Sequence, residues 1–176
     1  MNLLIVYGTS EGQTRKIALW TATHIRERGH QVEVLDSAAL ASDLKLGAFD
    51  AFIIAASVHQ EHHQEAITNF AFAHHELLNT KPSALISVSL SAALEDEKTE
   101  AQKYVDRFVS GVEWRPRMTL LLGGALRFTK YDYFQEQFVK FVVMKRSGDL
   151  SSERDHEFTD WNALASFADR FLETAG

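Results

Sequence analysis

The sequence predicts an α/β domain: an open parallel sheet with helices on both faces and strands in the order 2-1-3-4-5. Three observations carry that expectation. Four short runs, Leu3-Leu4-Ile5-Val6-Tyr7, Phe52-Ile53-Ile54-Ala55-Ala56, Ala84-Leu85-Ile86-Ser87-Val88-Ser89 and Thr119-Leu120-Leu121-Leu122-Gly123, are largely apolar rather than alternating, as strands covered on both faces are. The segments between them have helical spacing. A fifth run, Gln31-Val32-Glu33-Val34-Leu35, does alternate, which suits a strand at a sheet edge. Strand, helix, strand, repeated, is the pattern of a doubly wound sheet. An alternating strand placed second gives the order above.

Each helix has its own signal. Residues 13–28 put Ile17, Trp20, Thr21, His24 and Ile25 on one face, with Gly29 where a helix C-terminal glycine belongs. Residues 62–78 present Ala66, Phe70, Ala73 and Leu77, and residues 97–109 present Ala101, Tyr104, Val105 and Phe108. Thr159 followed by Asp160 reads as an N-cap and first-turn acid for a last helix running through Leu172. The acidic Glu95-Asp96-Glu97 suits a first helical turn and is assigned no catalysis.

Composition sets the bounds. With 176 residues, 45% hydrophobic content and 12 Phe, 3 Trp and 4 Tyr, the chain suits one compact domain spanning 1–176 rather than a disordered one. It has no cysteine, which excludes disulfides, Cys-based metal sites and a thiol nucleophile. No secretory signal opens the chain and no apolar run approaches the ~20 residues that span a bilayer, so a soluble, cytoplasmic protein is expected. The net charge of −6 argues against a nucleic-acid partner. Its distribution is uneven: residues 114–146 carry 7 basic and 2 acidic side chains, within an otherwise acidic chain.

Ligands of such sheets bind beyond the carboxyl ends of the strands. There the first loop reads Gly8-Thr9-Ser10-Glu11-Gly12-Gln13-Thr14. It offers hydroxyls, glycines and backbone N–H groups at a helix N-terminus, a combination suited to a phosphate monoester. No Gly-Lys-Ser/Thr is present and no G-x-G-x-x-G, so neither a Walker loop nor the usual dinucleotide fingerprint applies. The competing reading is a hydrophilic capped turn.

Tyr7-Gly8-Thr9-Ser10-Glu11-Gly12-Gln13-Thr14, followed by Ala18, resembles the FMN-phosphate signature of the flavodoxin superfamily. Further blocks narrow the likeness: Ile54-Ala55-Ala56-Ser57-Val58, Trp114-Arg115-Pro116, Gly124-Ala125-Leu126-Arg127-Phe128, Met144-Lys145-Arg146-Ser147-Gly148 and Thr159-Asp160-Trp161. Together they resemble the bacterial quinone-dependent protoporphyrinogen oxidases of that superfamily. The resemblance implies a flavodoxin-like three-layer sandwich that binds FMN, oxidises protoporphyrinogen IX to protoporphyrin IX and passes electrons to menaquinone or ubiquinone. It maps Thr9, Ser10, Glu11, Gly12, Gln13 and Thr14 onto the phosphate loop. Ala56, Ser57, Val58 and His59 map beside the isoalloxazine, and Ser89, Leu90 and Ser91 at its other side. Flavodoxins usually clamp the flavin between aromatic side chains, yet residues 57–64 and 89–97 contain no Phe, Trp or Tyr. The expected consequence is a less covered flavin face that a flat substrate can approach. The loop 91–97 also lacks basic residues.

Residues 124–158, between the fifth strand and the last helix, are too long for an ordinary connection and form a basic amphipathic insert. Within 131–146, Phe134, Phe138, Phe141, Val142 and Lys145 follow helical spacing, with Lys140, Lys145 and Arg146 near its end and Arg115, Arg117, Arg127 and Lys130 upstream. Such a helix suits peripheral contact with the cytoplasmic face of a membrane, each surface cation contributing about 1 kcal/mol. Its competing uses are packing into the core and a homo-oligomer interface.

Eight histidines raise a metal reading, and His59 and His63 could share a helix face. No H-E-x-x-H motif accompanies them, so no metal is assigned and solvated loop positions are expected. His59 is the one side chain read as a hydrogen-bond donor toward flavin or substrate. No other acid, base or Ser-His-Asp arrangement stands out, which suits a reaction whose chemistry belongs to a cofactor. Three other readings fit the same residues: a flavodoxin-type FMN electron carrier, an NAD(P)H–quinone reductase, and a flavin-free interaction module.

Overall fold

The computed structural model describes residues 1–41, 44–127, 136, 138, 141 and 155–176. Strands β1 (Asn2–Gly8), β2 (Gln31–Asp36) and β3 (Ala51–His59) come first, with helix α1 (Gln13–Arg26) between β1 and β2. A two-residue strand β4 (His62–His63), helices α2 (Glu65–Ala73) and α3 (His75–Thr80), strand β5 (Ser83–Ser89) and helix α4 (Lys98–Gly111) follow. Strand β6 (Met118–Gly123), short strands β7 (Ala125–Leu126) and β8 (His156–Glu157), and helix α5 (Trp161–Ala175) complete the described elements.

The five long strands are parallel in the order β2-β1-β3-β5-β6, with β4 antiparallel to β3. Leaving β4 aside, this is the expected 2-1-3-4-5. The alternating run is indeed the edge strand β2, with Gln31 and Glu33 exposed and Val32 buried.

Side-chain alternation along each strand distributes the apolar runs to two cores. Leu3, Ile5, Tyr7, Ile53, Ala55, Ala84 and Ile86 face one side, where α1 and α5 contribute Ile17, Ile25, Leu164, Phe167 and Phe171. Leu4, Val6, Phe52, Ile54 and Leu85 face the other, with Ile67 and Phe70 from α2, Leu78 from α3, and Val105 and Phe108 from α4. Burying one such side chain contributes about 1.5–3 kcal/mol, so these two layers dominate the stability. Gly29 closes α1 as expected, at φ 84°.

Three expectations are corrected. The helix read over 62–78 is two helices, broken at His74 (φ −121°, ψ 17°). Their buried residues are Ile67, Phe70 and Ala71 in α2 and Leu78 in α3, while Ala73 is exposed. The break shifts the helical phase, so of the single stripe through Ala66, Phe70, Ala73 and Leu77 only Phe70 and Leu77 pack on the core. Asp160, not Thr159, caps α5: its carboxylate accepts from the Ala163 N–H at 2.9 Å. The helix then runs past Leu172 to Ala175.

The basic stretch is also not one surface. Arg115 and Arg117 precede β6 and Arg127 follows β7, so the length of β6, about 20 Å at the usual rise, separates them. Trp114 beside them is a core residue, 1% exposed, whose Nε1–H donates to Ser83 Oγ at 2.9 Å. Most of the 131–146 segment lies outside the described residues. Of its described positions, Phe141 is buried and Phe138 packs beside it, in a cluster with Leu94, Leu126 and Phe158. Phe141 is thus used inside the protein, while Phe138 is half-buried against the same cluster.

Candidate functional site

The loops after β1, β3, β5 and β6 converge at the carboxyl end of the sheet. Between them lies a cleft of about 570 Å³, open mouth included, lined by Thr9, Ser10, Glu11, Gln13, Thr14, Ser57, Val58, His59, Val88, Ser89, Leu90, Gly124, Ala125 and Leu126. Ten of the thirteen residues singled out from the sequence are among these. The other three do not line it: Ala56 is fully buried inside β3, while half-buried Ser91 opens a short turn and half-buried Gly12 shapes the loop. The β6–β7 junction and Leu126 were not assigned to the site from the sequence. The signal was present, because Gly124-Ala125-Leu126-Arg127 is one of the blocks that carry the family resemblance.

The first loop is built around Gly12, whose φ of 89° is a left-handed conformation that side chains other than glycine adopt at a cost. Its N–H donates to Thr9 Oγ1 at 2.9 Å and its carbonyl accepts from the Lys16 N–H at 3.1 Å. The Thr9 hydroxyl oxygen therefore accepts within the turn itself, a bond that does not use its O–H. Helix geometry leaves the N–H groups of the first turn of α1 without partners inside the helix. There they meet the positive end of the helix dipole, the arrangement that receives a phosphate monoester. Gln64 holds this loop to the next: its Nε2 donates to Thr9 O at 3.0 Å and its own N–H to Ser57 O at 3.1 Å.

The second loop is a tight hairpin between β3 and β4. Gln60 and Glu61 both have positive φ, 48° and 67°, as a two-residue turn of this kind requires, although neither is glycine or asparagine. His59 and His63 do not share a helix face. His59 lines the cleft and pairs with His62 across the hairpin, while Val58 pairs with His63. His63 is 8% exposed, its Nε2 lies 2.9 Å from Ser87 Oγ, and its ring packs on Phe108. Burial, with a small contribution from His62, pushes its pKa down to about 4. The expectation of a solvated loop histidine is therefore wrong for His63, which is a neutral core anchor.

The electrostatics of the cleft centre on Glu11. Burial raises its carboxyl above the ordinary range, while His59 and Arg127 act in the opposite sense. The third loop spends its polar groups on its own shape: Ser89 Oγ accepts from the Ala92 N–H at 3.1 Å and Ser89 O from the Gly124 N–H at 3.1 Å. None of the described residues lining the cleft is Phe, Trp or Tyr.

The donor set suits a flavin mononucleotide. First-turn amides and the Ser10 hydroxyl stand where a phosphate tail would enter. The buried Ser57 Oγ has no hydrogen-bond partner among the described residues, leaving it to a polar ligand edge. Val58, Val88 and Leu90 provide apolar surface for a flat ring.

Comparison with known proteins agrees with this geometry. The flavodoxin domain family matches residues 4–153. The protoporphyrinogen IX dehydrogenase (quinone) of Escherichia coli strain K12 is 30% identical over 169 residues, covering 96% of this chain and 93% of the relative. The Leishmania major protein of the same name is 28% identical, covering 96% and 73%. Among solved structures, oxidised flavodoxin 2 of Bacillus cereus superposes with a TM-score of 0.60 at 15% identity, over 99% of each chain.

Proposed function

Given that the chain belongs to the flavodoxin domain family, with FMN as its cofactor, we propose that it oxidises protoporphyrinogen IX to protoporphyrin IX and delivers the electrons to a quinone. FMN supplies the chemistry, accepting reducing equivalents from the macrocycle and returning them to the acceptor. The chain supplies position. First-turn amides of α1 would hold the phosphate, and Ser57, Val58 and His59 would border one side of the ring, with Ser89 and Leu90 on the other.

The observation that carries the reading is that none of the described residues on either side of the cleft is aromatic. A carrier gains from an enclosed flavin reached only at its edge, whereas a flat macrocycle needs an exposed face. The names borne by the two relatives supply the substrate class. His59, at the cleft wall, is placed to donate a hydrogen bond toward flavin or substrate. Because the quinone is lipid-borne, we further propose peripheral contact with an anionic membrane through the insert cations Lys130, Lys140, Lys145 and Arg146. Among the described residues no helix is long and apolar enough to cross a bilayer.

Purified protein loaded with FMN, in anaerobic buffer, should produce porphyrin fluorescence from protoporphyrinogen only when a menaquinone analogue is added. Bound flavin with no porphyrin formed would instead favour an electron carrier. Sedimentation with anionic vesicles that weakens as salt rises would support the membrane contact, and no sedimentation at low salt would end it.

A further inference from the structure

Gln13 stands at the helical end of the phosphate-type loop, yet its carboxamide is engaged elsewhere. The residue is 5% exposed; its Nε2 donates to Thr159 Oγ1 at 2.9 Å, and its Oε1 accepts from Arg127 Nη2 at 3.0 Å. Arg127 Nη1 in turn meets Asp155 Oδ2 at 3.0 Å, and the Thr159 hydroxyl donates to Gly123 O at 2.8 Å. A single residue beyond β7 therefore holds Gln13, the helical neighbour of Gly12, the left-handed pivot of the loop.

The remaining contacts tighten the same junction. β7 pairs with β8, and Phe158 N–H donates to Gly124 O at 2.9 Å. A Cβ on Gly123 would lie 2.4 Å from Phe158 O, so only glycine lets the returning chain this close. One helical turn further on, Lys16 Nζ meets Glu157 Oε2 at 2.6 Å and Trp161 Nε1–H donates to Glu157 Oε1 at 3.0 Å. Both ends of the 124–158 insert are thus fastened to the first turn of α1.

The geometry points to a clasp: Arg127, acting through Gln13, is a positioning residue that fixes the Gly12 turn in the form a phosphate monoester requires. The inference rests on the FMN reading above and deepens it. A glycine loop loses more conformational freedom on ordering than other sequences. Ordering it before the ligand arrives removes that cost from binding. The clasp therefore acts on the phosphate end of the ligand, not on its ring.

Flavin fluorescence quenching with FMN and, separately, riboflavin tests this, because riboflavin lacks the phosphate. Arg127→Ala should weaken FMN binding about tenfold, and Thr159→Val, which changes no charge, about threefold, the scale of a lost hydrogen bond. Riboflavin affinity should stay unchanged in both. Arg127→Lys should behave like Arg127→Ala, since one ammonium cannot span Gln13 and Asp155 as the guanidinium fork does. Recovery of FMN binding in Arg127→Lys would overturn the clasp in favour of simple charge attraction. A parallel loss of riboflavin affinity would overturn it in favour of general loosening. If Arg127→Ala does not fold, Thr159→Val alone decides the matter. A wild-type protein that takes up neither flavin would instead refute the cofactor reading itself.

Discussion

The interior of the sheet and the junction around Gln13 are held together in different ways. In the sheet, neighbouring apolar residues on one strand go to opposite cores: Leu3 and Ile5 to one side, Leu4 and Val6 to the other. At the junction, residues far apart in sequence are joined by directed polar contacts, Gln13 to Thr159, Gln13 to Arg127 and Arg127 to Asp155. Burial is cumulative and nondirectional, whereas each polar contact has small net worth but fixed geometry. The sheet should therefore govern whether the protein folds, and the junction how tightly it holds a ligand.

The strongest way to test that division is from the sheet side. Phe52 is fully buried, and Phe52→Ala should cost about 4 kcal/mol in urea unfolding, with FMN binding lost only as the folded fraction falls. A selective loss of affinity in a fully folded Phe52→Ala protein would break the comparison.

Next in size is the buried histidine between the two regions. His63 titrates near 4 when folded and near the ordinary value of about 6.5 when unfolded. Between those values the unfolded chain binds the extra proton, so stability is level above about pH 6.5 and falls as the pH drops toward 4. About 3 kcal/mol should be gone at pH 4. Unfolding transitions measured across this range, with and without His63→Gln, check it, and the variant should show a flatter profile.

Smaller effects sharpen the boundary. Removing the α5 cap with Asp160→Ala should cost about 1 kcal/mol and leave FMN affinity unchanged, although Asp160 adjoins the clasp residue Thr159. Smallest of all, Glu157→Gln removes a partly exposed ion pair with Lys16. It should change stability by about 0.5 kcal/mol or less, the difference shrinking in high salt.

The same contrast explains what could be read from the sequence. Uniformly apolar runs and one alternating run report burial locally, so the strands, their order and the edge position of Gln31–Asp36 were legible. The cleft loops followed, because ligand position in such sheets is set by topology. What was not legible depends on partners distant along the chain. Nothing around Gln13 announces Thr159, 146 residues away, or that its carboxamide is taken up by Thr159 and Arg127. The helix break at His74 was hidden because Ala66 and Ala73 mimic a continuous stripe. His63 looked like a surface loop residue because its anchor, Ser87, lies on another strand. The basic residues from Arg115 to Arg127 looked like one cluster only because a sequence does not display the strand that separates them.

The central claim is that a porphyrinogen can reach and reduce the flavin held in this cleft. Its most direct measurement is the visible absorbance of FMN-loaded protein mixed anaerobically with protoporphyrinogen, with no quinone present. The account predicts that the yellow flavin band bleaches on mixing, and that its colour returns and porphyrin accumulates only when a menaquinone analogue is added. A flavin that keeps its colour with protoporphyrinogen, yet bleaches with dithionite, would contradict it.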